Sequence, residues 1–294
     1  MSKITIAGLQ LEGPNGDNLD LVEREIDTCL LRFPWVEMVV ASELNVCGTN
    51  PAAAETMPGP REDRLSEIAR RHGIWLIPGS MFEAAGGKVY NTVPVINPSG
   101  EVIARYRKMF PWVPQESGST PGDTPVVFDV PGVGCFGISN CWDMWFPETL
   151  RALTSMGAEA IIHPSLTSTI DRPAEHSIIR ASAAMFQCYF FDVNLGPSVG
   201  VGQSLVAGPG GEVMHAAGRG REIFPLKLDL DYVRDVRATG WHFVGQNLKA
   251  YRDSTIDFLS YNNGHATDYL KSLGPLHMPA RYDAVAKTAN TEKD

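Results

Sequence analysis

The chain has 294 residues, of which 44% are hydrophobic and 20% charged, so it is long enough to bury a sizeable core in one or two domains. Its formal net charge of -9 disfavours a nucleic-acid partner or binding to an anionic membrane surface. The sequence has no apolar run near the roughly 18–20 residues that a membrane-spanning helix requires, so we expect no membrane partner.

The cysteines are odd in number and scattered along the chain, without a Cys-x-x-Cys pair: Cys29, Cys47, Cys135, Cys141 and Cys188. This spacing argues against a disulfide framework and a structural zinc site, and it favours the reducing cytoplasm as the compartment. The seven histidines form no short-range pair of the metal-binding kind. We therefore expect neither a metal nor a cofactor.

Strand-like and helical patterns alternate along the chain. The first half of the chain predicts a strand at Ile4–Leu9, a helix from Leu19, a strand at Met38–Ala41, a helix at Glu62–Arg71 and then strands at Ile74–Pro78, Tyr90–Asn97, Glu101–Tyr106, Val126–Val130 and Gly134–Ser139. The second half predicts a helix at Pro147–Met156, a strand at Ala160–His163, a helix at Pro173–Gln187 and then strands at Cys188–Asn194, Gln203–Ala207, Glu212–His215 and Ile223–Leu228. This order indicates an α/β layered domain over residues 1–240. Residues 241–294 lack clear periodicity and are predicted to be an extension packed on the body or on a partner subunit.

Three residues with catalytic chemistry follow predicted strands. Glu43 comes after the apolar run that ends at Ser42, where partial burial raises the pKa of a carboxyl group towards that of a general base. Lys108 follows the strand that ends at Tyr106 and offers a fixed positive charge for an oxyanion. Cys141 follows a short apolar strand and starts a helix-like segment. We expect this position to lower the pKa of the thiol and to supply backbone N–H groups to an oxyanion.

The order of Glu43, Lys108 and Cys141 resembles that of the nitrilase superfamily of carbon–nitrogen hydrolases. Residues 141–148 read Cys-Trp-Asp-Met-Trp-Phe-Pro-Glu, which is similar to the Cys-Tyr-Asp-x-x-Phe-Pro-Glu run of the amidase and carbamoylase branches. Residues 106–116 resemble the aliphatic amidase and formamidase branch, in which a second glutamate lies eight positions after the lysine, as Glu116 does here. The resemblance implies a four-layer α-β-β-α sandwich and a homodimer or a higher even-numbered homo-oligomer.

The resemblance implies cysteine-dependent hydrolysis of a linear amide, a small-molecule substrate, to carboxylic acid and ammonia through a thioester. Glu43 is then the general base, Cys141 the nucleophile and Lys108 the oxyanion-holding group, while Glu116 positions the substrate and the lysine. Candidate pocket residues are the tryptophans near the cysteine and the polar residues after strand 160–163: Trp112, Trp142, Trp145, His163, Ser165 and Thr167.

Three alternatives stay open at this level. Hydrolysis of an N-carbamoyl amine or amino acid would require a cationic group in the pocket, for which Arg172 is the candidate. Nitrile hydrolysis is disfavoured because nitrilases usually have Glu where this chain has Asp143. A non-catalytic binding member of the fold would usually lack one of the four catalytic residues, and here all four are present.

Overall fold

The computed structural model describes residues 2–113, 116–258, 261 and 267–276. Thirteen strands form two sheets: β1 (Lys3–Gln10), β2 (Met38–Ala41), β3 (Trp75–Ile77), β4 (Met81–Ala85), β5 (Lys88–Ile96), β6 (Val102–Arg107), β7 (Val126–Val130), β8 (Gly134–Ile138), β9 (Ala160–Ser165), β10 (Tyr189–Asn194), β11 (Leu205–Ala207), β12 (Val213–Ala216) and β13 (Glu222–Asp229). The α-helices are α1 (Leu19–Arg32), α2 (Pro60–His72), α3 (Pro147–Ser155), α4 (Arg172–Phe186), α5 (Leu230–Thr239), α6 (Asn247–Arg252) and α7 (Asp268–Ser272).

The first sheet has the strand order β13-β1-β2-β3-β5-β4, with β6 added on β5, and the second has the order β12-β11-β10-β9-β8-β7. In the centre of each sheet the strands are parallel: β1, β2 and β3 in one, β8, β9 and β10 in the other. Parallel strands put their carboxyl ends at the same edge of a sheet. Residues that follow β2 in one sheet and β8 or β9 in the other are therefore candidates for a shared site.

Three apolar clusters divide the molecule into four layers. The central cluster lies between the sheets and includes Ile6, Val40 and Phe191. A second cluster joins α1 and α2 to the outer face of the first sheet, and a third joins α3 and α4 to the outer face of the second. This arrangement confirms the predicted α-β-β-α sandwich.

Most predicted elements agree with the structure to within one or two residues, but the sequence did not predict β4, α5 and the short helices α6 and α7. Strand β4 reads Met-Phe-Glu-Ala-Ala, which contains no β-branched residue, and it is held by antiparallel pairing with β5. Helix α5 places Leu230, Val233 and Val236 on its buried face, a helical spacing that the sequence did offer. The domain boundary at residue 240 stays a prediction, and residues 277–294 of the proposed extension lie outside the described residues.

Candidate active site

The ends of three strands bring the predicted catalytic residues together. Glu43 lies two residues after β2, Lys108 directly after β6 and Cys141 three residues after β8. The backbone N–H of Glu43 donates to the carbonyl oxygen of Ser165, at the end of β9 in the other sheet, at 3.3 Å. The two sheets therefore meet at this edge.

Lys108 lies between two carboxylates. Its Nζ donates to Glu43 Oε1 at 2.7 Å and to Glu116 Oε2 at 2.6 Å. All three side chains are buried, with 1% of Lys108 exposed to solvent. Burial alone would lower the pKa of the Lys108 ammonium, but the nearby Glu43, Cys141 and Glu116 outweigh burial and raise it. The lysine is therefore a permanent positive charge, as a group that stabilises an oxyanion must be.

Asn91 of β5 links both glutamates, and sequence reasoning did not identify it. Its Nδ2 donates to Glu43 Oε1 at 2.9 Å and to Glu116 Oε1 at 2.7 Å. Its Oδ1 accepts a hydrogen bond of 3.2 Å from Asn140, the residue before the cysteine. The only signal in the sequence was a polar side chain within the apolar strand 88–96.

Cys141 starts a short 3₁₀ helix with the left-handed φ of 53°, which places its side chain at a sharp bend after β8. Its thiol lies within hydrogen-bonding reach of the Glu43 carboxyl group. Burial and the negative charge of Glu43 outweigh Lys108 and raise the pKa of the thiol well above its ordinary value. The expected lowering of this pKa is therefore wrong, because desolvation dominates at a residue only 9% exposed.

A raised pKa means that a base is needed to remove the proton of the thiol, and Glu43 lies within hydrogen-bonding reach of it. Burial raises the pKa of Glu43, although the charge of Lys108 opposes this effect. A carboxylate with a raised pKa accepts a proton more readily than an exposed glutamate does. The geometry therefore joins the predicted nucleophile, base and oxyanion partner within one buried cluster.

Asp143 connects the cysteine segment to the lysine segment. It accepts hydrogen bonds from the Asn140 backbone at 2.9 Å, the Phe110 backbone at 2.9 Å and the Tyr106 hydroxyl at 2.5 Å. Burial raises its pKa to about 6, against the opposing effects of Tyr106 and Lys108. This carboxyl group fixes the position of the 3₁₀ helix that carries Cys141 relative to the end of β6.

A cavity of about 200 Å³ adjoins the cluster, and a smaller one of about 30 Å³ shares part of its wall with it. Three predicted pocket residues line these cavities: Trp112, Trp142 and Thr167. Sequence reasoning missed eight other lining residues: Leu44, Thr49, Phe82, Leu166, Ser168, Thr169, Glu175 and Val199. Leu44 and Leu166 are chain neighbours of predicted residues, which could have indicated them, whereas Phe82 and Val199 gave no signal.

Three predicted pocket residues do not line these cavities. His163 is fully buried, with Nδ1 at 3.0 Å from Ser139 Oγ and its ring against Phe190, and burial lowers its pKa to about 4. Ser165 is also fully buried and donates to Asp192 Oδ1 at 2.8 Å. Both residues belong to β9, a central strand whose side chains pack into the protein interior. Trp145 lies one turn beyond Trp142 in the 3₁₀ helix and is 38% exposed.

Arg172 was the candidate cation for a substrate carboxylate, and the structure places it in a buried cluster instead. Its guanidinium donates to Glu175 Oε2 at 3.0 Å, to Asp192, and to the carbonyl oxygen of Gln203 at 2.8 and 3.1 Å. Only 1% of its side chain is exposed. Glu175 reaches the smaller cavity from this cluster, and its Oε2 also accepts from the Thr167 hydroxyl at 2.7 Å.

Within the residues that the structure describes, no group of three or more His, Cys, Asp and Glu side chains is placed to hold a metal ion. None of the described helices is long and apolar enough to cross a membrane.

The chain resembles known proteins in sequence and in fold. The carbon–nitrogen hydrolase family profile matches residues 19–238. Omega-amidase NIT2 from Xenopus tropicalis is 32% identical over 202 residues, which cover 64% of this chain and 73% of that protein. A carbon–nitrogen hydrolase from Helicobacter pylori G27 superimposes with a TM-score of 0.76 at 26% identity, over 88% of this chain and 97% of that one. Saccharomyces cerevisiae Nit3, of the nitrilase superfamily, gives a TM-score of 0.74 at 27% identity, over 81% of this chain and 94% of that one.

Proposed function

The chain belongs to the carbon–nitrogen hydrolase family and is an amidase that acts on linear amides, and we propose that Glu43, Lys108, Cys141 and Glu116 carry out its reaction. The observation that supports this assignment is the buried cluster in which Lys108 bridges Glu43 and Glu116, with the Cys141 thiol within hydrogen-bonding reach of Glu43. The products are a carboxylic acid and ammonia.

In the first half of the reaction, Glu43 takes the thiol proton while the sulfur of Cys141 attacks the amide carbonyl carbon. The carbonyl π electrons move to oxygen, where the Lys108 ammonium and the backbone N–H of Trp142 stabilise the negative charge. The protonated Glu43 then gives its proton to the amide nitrogen, the C–N bond breaks, and ammonia leaves. The acyl group remains on sulfur as a thioester.

In the second half, Glu43 takes a proton from water as the water oxygen attacks the thioester carbonyl. The same two donors hold the second oxyanion, and collapse expels the thiolate, which regains the proton from Glu43. Glu116 accepts from Lys108 and from the Trp112 backbone at 2.8 Å, which fixes its own carboxylate. From there it holds the lysine and orients the substrate NH₂ by charge-assisted hydrogen bonds.

The alternatives are less well supported. Hydrolysis of N-carbamoyl amino acids lacks its expected cation, because Arg172 is held by Glu175 and Asp192. Nitrile hydrolysis is disfavoured by Asp143, and a non-catalytic role by the intact cluster around Cys141. An ω-amide substrate is a second candidate, since the curated relatives are omega-amidases.

Replacing Cys141 with alanine tests the assignment. Because the variant has no nucleophile for the thioester, its ammonia release from an amide that the wild type hydrolyses should fall by several orders of magnitude. The matched control is Cys47→Ala, which removes another buried thiol from the loop after Glu43 and should keep most of the activity. Near-normal turnover by Cys141→Ala would disprove the covalent mechanism.

We also infer an even-numbered homo-oligomer and a cytoplasmic setting. Three large side chains near the α3 and α4 layer are substantially exposed: Trp145 at 38%, Met156 at 48% and Met185 at 50%. Exposed large apolar side chains of this kind can be covered by pairing with a second copy. All five cysteines are free, which fits a reducing compartment. Light scattering on purified protein tests the first inference: a monomer at micromolar concentration would contradict it.

A further inference from the structure

We propose that the acyl group of the substrate is small, uncharged and apolar, and that an amide that also carries a free carboxylate is rejected. The inference rests on the proposed function, because it concerns the group bound beside Cys141. It separates simple aliphatic amides from ω-amides of dicarboxylic acids, which carry a free carboxylate at the far end.

The wall of the larger cavity is mainly apolar beyond the catalytic cluster. The residues that line it away from the reacting atoms are Leu44, Thr49, Phe82, Trp112, Leu166, Ser168 and Val199. Their only side-chain polar groups are two hydroxyls and the indole N–H, none of which is charged at neutral pH. An apolar acyl chain gains from burial against such a wall, whereas an isolated carboxylate loses its hydration without a charge partner.

The charged side chains that line the cavities are either negative or, in the case of Lys108, already paired with carboxylates. Lys108 is the one cation among the described lining residues, and it is shared by Glu43 and Glu116. A substrate carboxylate that took this lysine would displace a catalytic group. The carboxylate of a dicarboxylic monoamide therefore has no described cation to bind on the cavity wall.

The smaller cavity adds a negative group. Glu175 lines it, and the buried cluster behind it contains one cation, Arg172, against two carboxylates, Glu175 and Asp192. If both carboxylates are ionised, the formal charge of the cluster is about -1. Like charges in a buried site repel strongly, so Glu175 acts against an acidic substrate and is a specificity-determining residue.

Cavity size limits the substrate further. The larger cavity, at about 200 Å³, lies below the roughly 300–1,000 Å³ of sites that hold drug-sized ligands. It accommodates an acyl chain of a few carbon atoms rather than a large aryl or peptide group.

The test compares amides of matched shape. 4-Methylpentanamide has an isopropyl group where succinamate has a carboxylate. Succinamide is the neutral polar counterpart of these two amides, and 4-aminobutanamide is the cationic one. We expect kcat/KM for ammonia release to favour 4-methylpentanamide over succinamate by about 100-fold or more, because the carboxylate is both unpaired and repelled. A ratio near one, or a preference for either charged amide, would overturn the inference.

A pair of variants tests the role of Glu175. Glu175→Gln removes the negative charge and should reduce the preference for 4-methylpentanamide over succinamate by about tenfold or more. The matched control is Glu83→Gln: Glu83 is equally buried, is paired with Arg107 and the Thr92 hydroxyl, and lies outside both cavities. We expect the control to leave the ratio unchanged. An unchanged ratio in Glu175→Gln would refute this role.

The outcomes also separate this inference from the proposed function. If none of the four amides releases ammonia, the amidase assignment of the site fails. The order in which the same compounds protect Cys141 from alkylation by iodoacetamide still decides the inference: protection by 4-methylpentanamide supports it, and stronger protection by succinamate overturns it.

Discussion

Asn91 and Lys108 each donate hydrogen bonds to both Glu43 and Glu116, and replacing Asn91 with alanine removes one of these two links. In the wild type its Nδ2 lies at 2.9 Å from Glu43 Oε1 and 2.7 Å from Glu116 Oε1, in a fully buried site. A hydrogen bond to a charged group contributes about 1.5–3 kcal/mol. The ionised form of Glu43 therefore loses about that much stabilisation, whereas its protonated form loses much less.

The loss of this hydrogen bond should shift the acidic limb of the pH profile towards higher pH. Because 1.36 kcal/mol corresponds to about one pKa unit, the pKa of Glu43 should rise by about 1–2 in Asn91→Ala. Glu43 acts as a base only when it is ionised, so the acidic limb of kcat/KM should move upward by about 1–2 pH units. The wild-type limb itself should lie above the ordinary glutamate value of 4.5, because burial already raises this pKa.

The assay is ammonia release at limiting substrate between about pH 4 and pH 9, with folding checked at each pH by circular dichroism. Gln187→Ala is the matched control: Gln187 is also buried and its amide donates two hydrogen bonds, at 3.0 Å to the Val236 carbonyl oxygen and at 3.2 Å to that of Gly245, but it lies before the amino end of β10. It should lower the free energy of unfolding and leave the acidic limb in place. Coincident limbs for Asn91→Ala and the wild type would refute the reasoning.

Two further predictions concern the buried carboxylates. Arg172→Met leaves Asp192 and Glu175 without the cation that pairs with them, so it should lower the free energy of unfolding by about 3–5 kcal/mol. Urea denaturation measures this loss, and a variant as stable as the wild type would contradict the prediction. Asp143→Asn puts an amide N–H opposite groups that now donate to a carboxylate, so we expect a loss of about 1–3 kcal/mol in stability and at least about a tenfold fall in kcat/KM. Unchanged kinetics in Asp143→Asn would show that it does not position Cys141.

The strands and the helix order were predictable because hydrophobic periodicity is a local property. Strand β2 was predicted at Met38–Ala41 and α2 at residues 62–71, and both lie where apolar spacing and a terminal Gly73 place them. Strand β4 was not predicted, because its pairing with β5, rather than its composition, makes it a strand. The four residues that we propose to be catalytic were predicted from residue type, from their order along the chain and from the resemblance to a known family.

The sequence by itself thus determined the α/β class and the layered order, and it indicated the residues for which we propose the roles of nucleophile, base and oxyanion partner. Only the tertiary structure decided which groups touch. Asn91, Glu175 and Phe82 reach the site from separate elements, and nothing local marks such approaches in a sequence. Burial also determines the direction in which the pKa of Cys141 shifts. The start of a helix would lower the pKa of the thiol, but desolvation within the folded cluster raises it. The free energy lost when a thiolate leaves water is larger than the stabilisation that it gains from Lys108, which Glu43 and Glu116 share.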